Sequence, residues 1–284
     1  MKAILFDLDG VLYQDGSVLA GAVEALDWVR REGIDHLFLT NTSSRPRTSI
    51  REDLARMGIQ VAVEEILTPP VAARDWLLEQ GVSSVALFIP KATRGEFAEL
   101  NILPAEAQTS AGAVVVGDLG DGWDFATLNR AFRLLMSEPH PHLIALGMTR
   151  YWRAADGLRL DTAPFVAALR HATGIEPVVL GKPARPFFAA ALAALGTEAV
   201  ETLMIGDDIR GDIDGAQSAG IRGLLVRTGK FRPQDLQGEI QPDGVIDSIA
   251  SLPAWWVENL ASSNTSYGHK ESHCWPRAVM TPRP

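Results

Sequence analysis

The sequence predicts an α/β protein in which a mainly parallel β-sheet is covered by helices on both faces. Two observations carry this prediction. Short apolar runs, typical of buried strands, alternate along the 284 residues with longer segments whose apolar residues recur at helical spacing. Several apolar runs also stop abruptly at acidic or polar residues, and open parallel sheets bind ligands at the carboxyl ends of their strands.

The predicted elements follow one another in alternating strand and helix order. An amphipathic helix is predicted over Gly21–Glu32, because Ala22, Leu26 and Val29 share one face. A second helix, Arg47–Met57, stops at Gly58, a residue type that is common just after helices. The remaining predicted helices are Val71–Glu79, Phe125–Met136, Thr162–Thr173, Arg185–Leu195 and the short Asp212–Ala219. The predicted strands are Ala3–Phe6, His36–Leu39, Val85–Ile89, Val114–Val116, Leu143–Leu146, Val178–Leu180, Thr202–Ile205 and Gly223–Val226, with a last strand and turn in Ile246–Leu252 and a loop or hairpin in Tyr151–Leu160.

The composition is that of a globular protein, with 46% hydrophobic and 21% charged residues. The net charge of −9 argues against a nucleic-acid backbone or an anionic membrane as the main partner. No apolar run approaches the roughly 18 residues of a membrane span, and no signal peptide is evident, so we expect a cytoplasmic protein. The single cysteine, Cys274, excludes an internal disulfide.

The last residues, 262–284, are expected to lack a fold of their own, because they are rich in polar residues and proline. His269, His273 and Cys274 lie in this tail. A flexible polar segment explains these three residues better than a metal cluster does.

The strongest functional signal is Asp7-Leu8-Asp9-Gly10, which follows a short apolar run. Residues two apart on a strand point to the same face, so Asp7 and Asp9 are expected to lean into one crevice. Adjacent carboxylates repel each other unless a cation or a shared proton relieves them, and Mg²⁺ suits ligands that are all oxygens. The alternative is a strand that merely runs into an acidic turn.

Polar residues follow two further predicted strands. The hydroxyl of Thr40 and the backbone N–H groups around Asn41 suit a phosphate oxygen, although Thr-Asn is also a common helix cap. Lys182, held between Gly181 and Pro183, suits a transferring phosphoryl group, although a single lysine is more often a surface residue of a loop.

A fourth strand end carries the acidic run that begins Gly206-Asp207-Asp208 and ends at Asp212. Asp207 and Asp212 are five residues apart across a strand–loop–helix junction, so their carboxylates can converge on one cation. We expect Asp207 to be a direct ligand and Asp212 to orient metal-bound waters. Asp208 is either a ligand or a helix cap, and an acidic loop without metal is the alternative for the whole run.

Together, these four motifs resemble those of the haloacid dehalogenase (HAD) superfamily of aspartate-nucleophile phosphohydrolases, and the similarity spans residues 1 to about 260. The long segment between Asn41 and Lys182 is similar to the second-type α/β cap of subclass IIA. The stretches Arg150–Asp161 and Val226–Pro233 most resemble the sequences of one branch of the superfamily. That branch contains pyrophosphate and phosphohistidine phosphatases and the related HAD-like hydrolase domain-containing proteins. The resemblance implies a Rossmann-like core of residues 1–80 and 181–261, with a smaller α/β cap of residues 81–180 inserted in it.

The resemblance also implies roles for the motif residues. Asp7 would be the nucleophile that forms an aspartyl-phosphate, and Asp9 the general acid and base. Mg²⁺ would be held by Asp7, the main-chain carbonyl of Asp9, and Asp207. The phosphate oxygens would be held by Thr40, the Asn41 backbone and Lys182, and Asp208 and Asp212 would surround the metal site.

The implied function is Mg²⁺-dependent hydrolysis of a small phosphorylated substrate, namely pyrophosphate, a phosphoamidate or a small phosphomonoester. The alternatives are a non-catalytic binding or regulatory protein on the same fold, or a dehalogenase or phosphonatase. A homodimer through the cap is expected from the resemblance alone. Candidates in the cap for contact with the leaving group are Asp118, Asp121, Trp123, Tyr151, Trp152 and Arg153, for each of which packing or a solvent-facing charge is the simpler explanation.

Overall fold

Strands and helices alternate through most of the computed structural model, which describes residues 1–108, 111–154 and 156–265. The strands are β1 (Ala3–Asp7), β2 (Tyr13–Gln14), β3 (Ser17–Val18), β4 (Asp35–Leu39), β5 (Ile66–Leu67), β6 (Ser84–Phe88), β7 (Asn101–Ile102), β8 (Ala113–Val116), β9 (His142–Ala145), β10 (Tyr151–Ala154), β11 (Gly157–Leu160), β12 (Val178–Val179), β13 (Thr202–Gly206), β14 (Arg222–Val226) and β15 (Gly244–Ile246). The α-helices are α1 (Ala22–Arg31), α2 (Arg47–Arg56), α3 (Pro69–Glu79), α4 (Phe125–Leu135), α5 (Thr162–Thr173), α6 (Arg185–Leu195), α7 (Gly215–Ser218) and α8 (Leu252–Thr265). The predicted α/β class is confirmed.

A six-stranded parallel sheet forms the larger layer, in the order β15-β14-β13-β1-β4-β5. All five residues of the central strand β1 are buried, as expected for a strand covered on both faces. The chain leaves β1 for β4 on one side and returns much later to β13 on the other. At such a switch point, the carboxyl ends of the strands open a crevice suited to a ligand.

A second, five-stranded parallel sheet has the order β12-β9-β8-β6-β7. Its strands all lie in the chain between β5 and β13, and we call the segment from Ser84 to Val179 the cap. The predicted architecture, a parallel core sheet with a smaller α/β unit inserted, is therefore confirmed. The domain boundaries at residues 81 and 180 stay predictions.

The two sheets share one hydrophobic cluster. Leu5 and Leu39 of the larger sheet belong to it, as do Val85 and Val115 of the cap. Helices α3 and α6 contribute further buried side chains to the cluster, including Phe187. Because buried apolar area is the main source of folding stability, this shared cluster fixes the cap beside the crevice.

Most predicted elements begin and end within one residue of their observed positions. The last strand, β15, ends at Ile246, where it was predicted to begin, and two helix beginnings differ for local reasons. Helix α3 begins at Pro69 rather than Val71, because the first turn of a helix tolerates proline, whose missing N–H would be unpaired there anyway. The predicted helix Asp212–Ala219 is observed as α7, which begins only at Gly215. It is preceded by a wide helical turn, Ile209–Asp214, because Asp208 caps the chain earlier than expected.

The segment Tyr151–Leu160, predicted as a loop or hairpin, is the antiparallel hairpin β10–β11. Helix α8 continues to Thr265, into the segment predicted as a tail. His269, His273 and Cys274 lie outside the described residues. Within the described part of the chain, every helix is too short or too polar to span a bilayer.

Candidate active site

A cavity of about 400 Å³ lies at the carboxyl ends of β1, β4 and β13. One wall carries every site residue predicted from the motifs except Asp207, which is buried just behind it. The opposite wall comes from the cap. The residues of the first wall used below are Asp7, Asp9, Thr40, Asn41, Lys182, Asp208, Asp212 and Lys230, and those of the cap wall are Asp118, Thr149, Trp152, Asp161 and Thr162.

Lys182 bridges two carboxylates at the floor of this cavity. Its Nζ lies 2.6 Å from Asp7 Oδ1 and 2.7 Å from Asp212 Oδ1, and all three side chains are buried. Burial alone would lower the pKa of Lys182, but the charges of Asp212 and Asp7 outweigh it and raise that pKa, so the ammonium stays charged. Burial raises the pKa of Asp7, and Lys182 opposes the shift without cancelling it.

Asn41 holds the backbone of Lys182 with its side chain. Its Oδ1 accepts the Lys182 N–H at 2.7 Å, and its Nδ2 donates to the Lys182 carbonyl at 2.9 Å. An amide side chain suits this task because it accepts and donates at once. The sequence indicated a phosphate contact for Asn41, whereas the structure gives its side chain a separate role in placing the lysine.

Thr40 lies beside Asn41 on the same wall. Its Oγ1 accepts the N–H of Thr42 at 3.2 Å and lies 3.0 Å from the Thr42 hydroxyl. Neither Thr40 nor Asn41 caps a helix, since α2 begins at Arg47 and is preceded by Pro46. The helix-cap alternative for this pair is therefore wrong.

The carboxylate of Asp207 is almost fully buried. Its Oδ2 accepts the Lys230 N–H at 2.7 Å, whereas Oδ1 is buried without a hydrogen-bond partner among the described residues. Gly10 and Gly229, both at positive φ, press against this carboxylate, and a Cβ on either one would overlap Oδ2. Burial is the main cause that raises the pKa of Asp207 to about 6.

Asp7, Asp207 and Asp212 together fit a hard cation. Each offers one oxygen, and the three oxygens lie within 4.8 Å of one another. Burial also raises the pKa of Asp212 to about 6. These buried carboxylates have raised pKa values, and one oxygen of Asp207 has no hydrogen-bond partner in the described part of the chain. A cation bound here would compensate their negative charge, and oxygen ligands suit Mg²⁺.

Asp208 and Asp212 shape the loop after β13. Asp208 Oδ1 accepts the N–H groups of Arg210 at 3.0 Å and Gly211 at 2.9 Å, so of its two predicted roles the structure shows the cap. Although burial opposes it, these hydrogen bonds and Lys230 hold the pKa of Asp208 below its usual range. Asp212 Oδ2 accepts the Asp208 N–H at 3.1 Å, so its two oxygens serve Lys182 and the loop.

Asp9 is exposed and faces the cavity, two residues beyond the buried Asp7. The turn after it is fixed by the Gly10 N–H, which donates to the Tyr13 carbonyl at 2.7 Å. Burial, and then the charges of Asp9 and Asp7, raise the pKa of Tyr13 to about 12. Asp9 is thus accessible to a substrate in the cavity, whereas the Asp7 carboxylate is buried and paired with the Lys182 ammonium.

The segment Thr228–Lys230 belongs to the site but was not predicted. The Thr228 hydroxyl donates to the Gly10 carbonyl at 2.5 Å, and the Lys230 backbone holds Asp207. Its sequence signal is a Thr-Gly-Lys that follows an apolar strand after one intervening residue, near the strand end as in the other motifs. The Lys230 ammonium lies 3.5 Å from Asp208 Oδ2.

The cap candidates separate into two groups. Asp118 and Trp152 line the cavity, together with Thr149 and Asp161, which the sequence analysis did not single out. Trp123 packs inside the cap, with its ring stacked 5.8 Å from Phe88 and 4.6 Å from Phe165. The other three candidates do not line the cavity, and they are Asp121, Tyr151 and Arg153.

Comparison with known proteins agrees with this geometry. Residues 4–102 match the family model described as haloacid dehalogenase-like hydrolase, and residues 179–252 match a HAD-hydrolase-like model. The human protein named phospholysine phosphohistidine inorganic pyrophosphate phosphatase is 39% identical over 255 residues, which cover 88% of this chain and 92% of that protein. The chain belongs to the haloacid dehalogenase-like hydrolase family.

Two further members of this family extend the comparison. The bovine haloacid dehalogenase-like hydrolase domain-containing protein 2 is 39% identical over 243 residues, covering 85% of this chain and 90% of that protein. The crystal structure of a 4-nitrophenylphosphatase from Thermotoga maritima superposes with a TM-score of 0.79 at 25% identity, covering 89% of this chain and 97% of that one. The predicted family is confirmed, and the chain is a hydrolase of the phosphatase class.

Proposed function

We propose that this HAD hydrolase is a Mg²⁺-dependent phosphatase of small phosphorylated compounds, with Asp7 as its nucleophile. The observation that carries the proposal is the group of three buried carboxylates, Asp7, Asp207 and Asp212, with a charged lysine against two of them. The names of the human and Thermotoga relatives support pyrophosphate, phosphoamidates or small phosphomonoesters as substrates.

The reaction proceeds in two displacements. An oxygen of Asp7 attacks phosphorus, the bond from phosphorus to the leaving oxygen or nitrogen breaks, and Asp9 gives its proton to that leaving atom. Water then attacks the phosphorus of the aspartyl-phosphate and passes a proton to Asp9. Inorganic phosphate leaves, and both aspartates return to their first states. The exposure of Asp9 to the cavity suits a group that exchanges protons with substrate and water.

The remaining residues bind and orient the phosphoryl group. Lys182 offsets the charge of the phosphoryl oxygens, and Asn41 fixes where that lysine stands. Thr40 and the Asn41 backbone add contacts to the phosphate. Asp7, the Asp9 carbonyl and Asp207 would hold Mg²⁺, with Asp208 and Asp212 around it. When bound, Mg²⁺ neutralises phosphoryl charge.

The test is phosphate release from pyrophosphate, a phosphoamidate and a panel of small phosphomonoesters, with Mg²⁺ and with EDTA. We expect Mg²⁺-dependent release from at least one of them, and a loss of roughly 10³-fold or more in Asp7→Asn, because the nucleophile is gone. Asp121→Asn is the matched control, since that carboxylate is outside the cavity and almost fully exposed.

Activity that survives EDTA, or that survives in a folded Asp7→Asn protein, contradicts the proposal. No release from any compound, in a protein that is folded and binds Mg²⁺, favours the non-catalytic binding protein instead.

A further inference from the structure

Helix α2 begins just after the loop Thr40–Ser44, whose five residues all line the cavity. Two residues separate this loop from Arg47, the first residue of the helix. One of them is Pro46, whose ring fixes its own φ, and the other is Arg45, which is ion-paired with Asp53 of α2. Because the connection is short and held at both residues, the position of the helix start determines where the loop ends.

The N-terminus of α2 receives its cap from a distant segment of the chain. Pro46, which precedes the helix, offers no side-chain hydrogen bond, and the first turn contains no acidic residue. The carboxylate of Glu96, in the cap, takes this place, and its Oε1 accepts the Arg47 N–H at 2.9 Å. A carboxylate is favourable there because a helix N-terminus has unpaired N–H groups and a partial positive charge.

The second oxygen of Glu96 binds the side chain of the same arginine. Glu96 Oε2 accepts from Arg47 Nε at 3.1 Å, and Arg47 Nη1 donates to the Val63 carbonyl at 3.3 Å. Only 11% of the Glu96 side chain and 17% of the Arg47 side chain are exposed. Desolvation offsets much of the attraction in such a pair, so its net stabilisation is small. Its main effect is geometric, since one carboxylate fixes both the backbone and the side chain of Arg47.

Glu96 is itself held firmly by the cap. It lies in the helical turn Lys91–Phe97 after β6, and Phe97 is fully buried in the cluster that the two sheets share. A second ion pair joins this part of the cap to the larger unit, because Glu99 Oε1 lies 3.4 Å from Arg74 Nη1 of α3. That pair differs in one respect: Glu99 is 64% exposed, and its partner does not follow a loop of the cavity.

We propose that Glu96 is a positioning residue for the loop Thr40–Ser44, and that through Arg47 the cap determines where this loop lies against the phosphoryl group. The proposal rests on the proposed phosphatase function, in which Thr40 and the Asn41 backbone contact the phosphate. It assigns part of the phosphate affinity to a cap side chain that does not line the cavity.

Inorganic phosphate is the probe that tests this proposal. It has no leaving group, so its inhibition constant depends on the groups that contact the phosphoryl oxygens. We expect Glu96→Ala to raise the inhibition constant of phosphate about tenfold and to lower kcat/KM for the best substrate about as much, because small displacements of binding groups are costly. Glu96→Gln should lose less, since its amide oxygen can still accept the Arg47 N–H.

A double-mutant cycle tests whether Glu96 acts through Arg47. Arg47→Ala keeps its N–H, so its loss should be smaller than that of Glu96→Ala. The double variant should lose no more than Glu96→Ala alone, because both substitutions remove the same contact. Glu99→Ala is the matched control, since it removes an ion pair between the same cap segment and α3, and it should leave the inhibition constant unchanged.

A folded Glu96→Ala or Glu96→Gln protein that binds phosphate and turns over substrate like the wild type, or losses that multiply in the double variant, overturns the positioning role while leaving the phosphatase intact. An equal effect of Glu99→Ala also overturns it, because attachment of the cap in general would then be the cause. A wild-type protein that hydrolyses no compound of the panel refutes the phosphatase function, and the proposal with it.

Discussion

Asn41 is the single residue whose role the structure changes most. Its amide bridges the N–H and the carbonyl of Lys182, so it places a lysine that lies 141 positions away in the chain. We expect Asn41→Ala to lower kcat/KM by about 10- to 100-fold, the usual cost of losing a side chain that orients a functional group. Steady-state kinetics on the best substrate measures this.

Asn101→Ala is a suitable control for that variant, because Asn101 is an exposed asparagine of β7. Full activity in Asn41→Ala, alongside a large loss in Lys182→Ala, would show that the lysine needs no such support.

Single residues also show the limit of prediction from sequence. Lys182 was expected near Asp7 because both follow predicted strands. The two side chains do meet, but β12, the strand before Lys182, belongs to the cap sheet and not to the sheet of β1. The Asn41 amide was not expected to bind the lysine backbone, since a hydrogen bond between residues so distant in the chain leaves no local pattern.

At the scale of elements, the turn Thr228–Lys230 after β14 connects Gly10, in the loop that follows β1, to Asp207. Gly229 has φ +62°, and a Cβ there would overlap Asp207 Oδ2 and press on Gly10. Gly229→Ala should therefore displace the carboxylate and weaken cation binding. We expect it to reduce strongly the rise in Tm that Mg²⁺ produces, which thermal unfolding measures without substrate.

Gly16→Ala separates this effect from ordinary backbone strain. Gly16 also has positive φ, +73°, but no atom lies within 4 Å of the position of a Cβ. Both variants carry the cost of a left-handed alanine, roughly 1 kcal/mol. Thr228→Val, which removes the hydrogen bond to Gly10, is a milder second variant if Gly229→Ala does not fold. An unchanged Mg²⁺ response in both turn variants contradicts the assigned role.

Elements with strong patterns were predicted well, and short ones were not. Helices Thr162–Thr173 and Arg185–Leu195 have the predicted bounds. The two-residue strands β2, β3 and β7 were not predicted, because two residues cannot display an alternation of apolar and polar side chains. The equally short β12 was predicted, because it lies in the longer apolar run Val178–Leu180.

At the scale of the whole molecule, the cap and the larger sheet share a hydrophobic cluster, and the cavity lies where their residues meet. Strand and helix order predicted the α/β class, and the resemblance to the HAD superfamily predicted the inserted cap, but neither predicted which cap residues line the cavity. That arrangement depends on packing between distant segments, and it placed Thr149 and Asp161 in the cavity unexpectedly. A homodimer through the cap and a cytoplasmic location stay predictions.

The charge balance of the whole site leads to a pH-dependent response to metal. Burial raises the pKa values of Asp207 and Asp212 from the ordinary 3.8 to about 6 in the metal-free fold. The folded state therefore binds protons more tightly than the unfolded chain between about pH 4 and pH 6. These groups stabilise the fold below this window, and that contribution is lost as the pH rises through about 6.

A cation at the site competes with these protons, because it would bind the Asp207 carboxylate directly and its charge would favour the ionised form of the nearby Asp212. We therefore expect the rise in Tm produced by a fixed Mg²⁺ concentration to be small at pH 5 and large at pH 7.5, with its midpoint near pH 6. Asp207→Asn should remove the rise at every pH, whereas Asp121→Asn should retain it. Equal rises at pH 5 and pH 7.5 would mean that the cation binds without displacing protons, and that Asp207 is not one of its ligands.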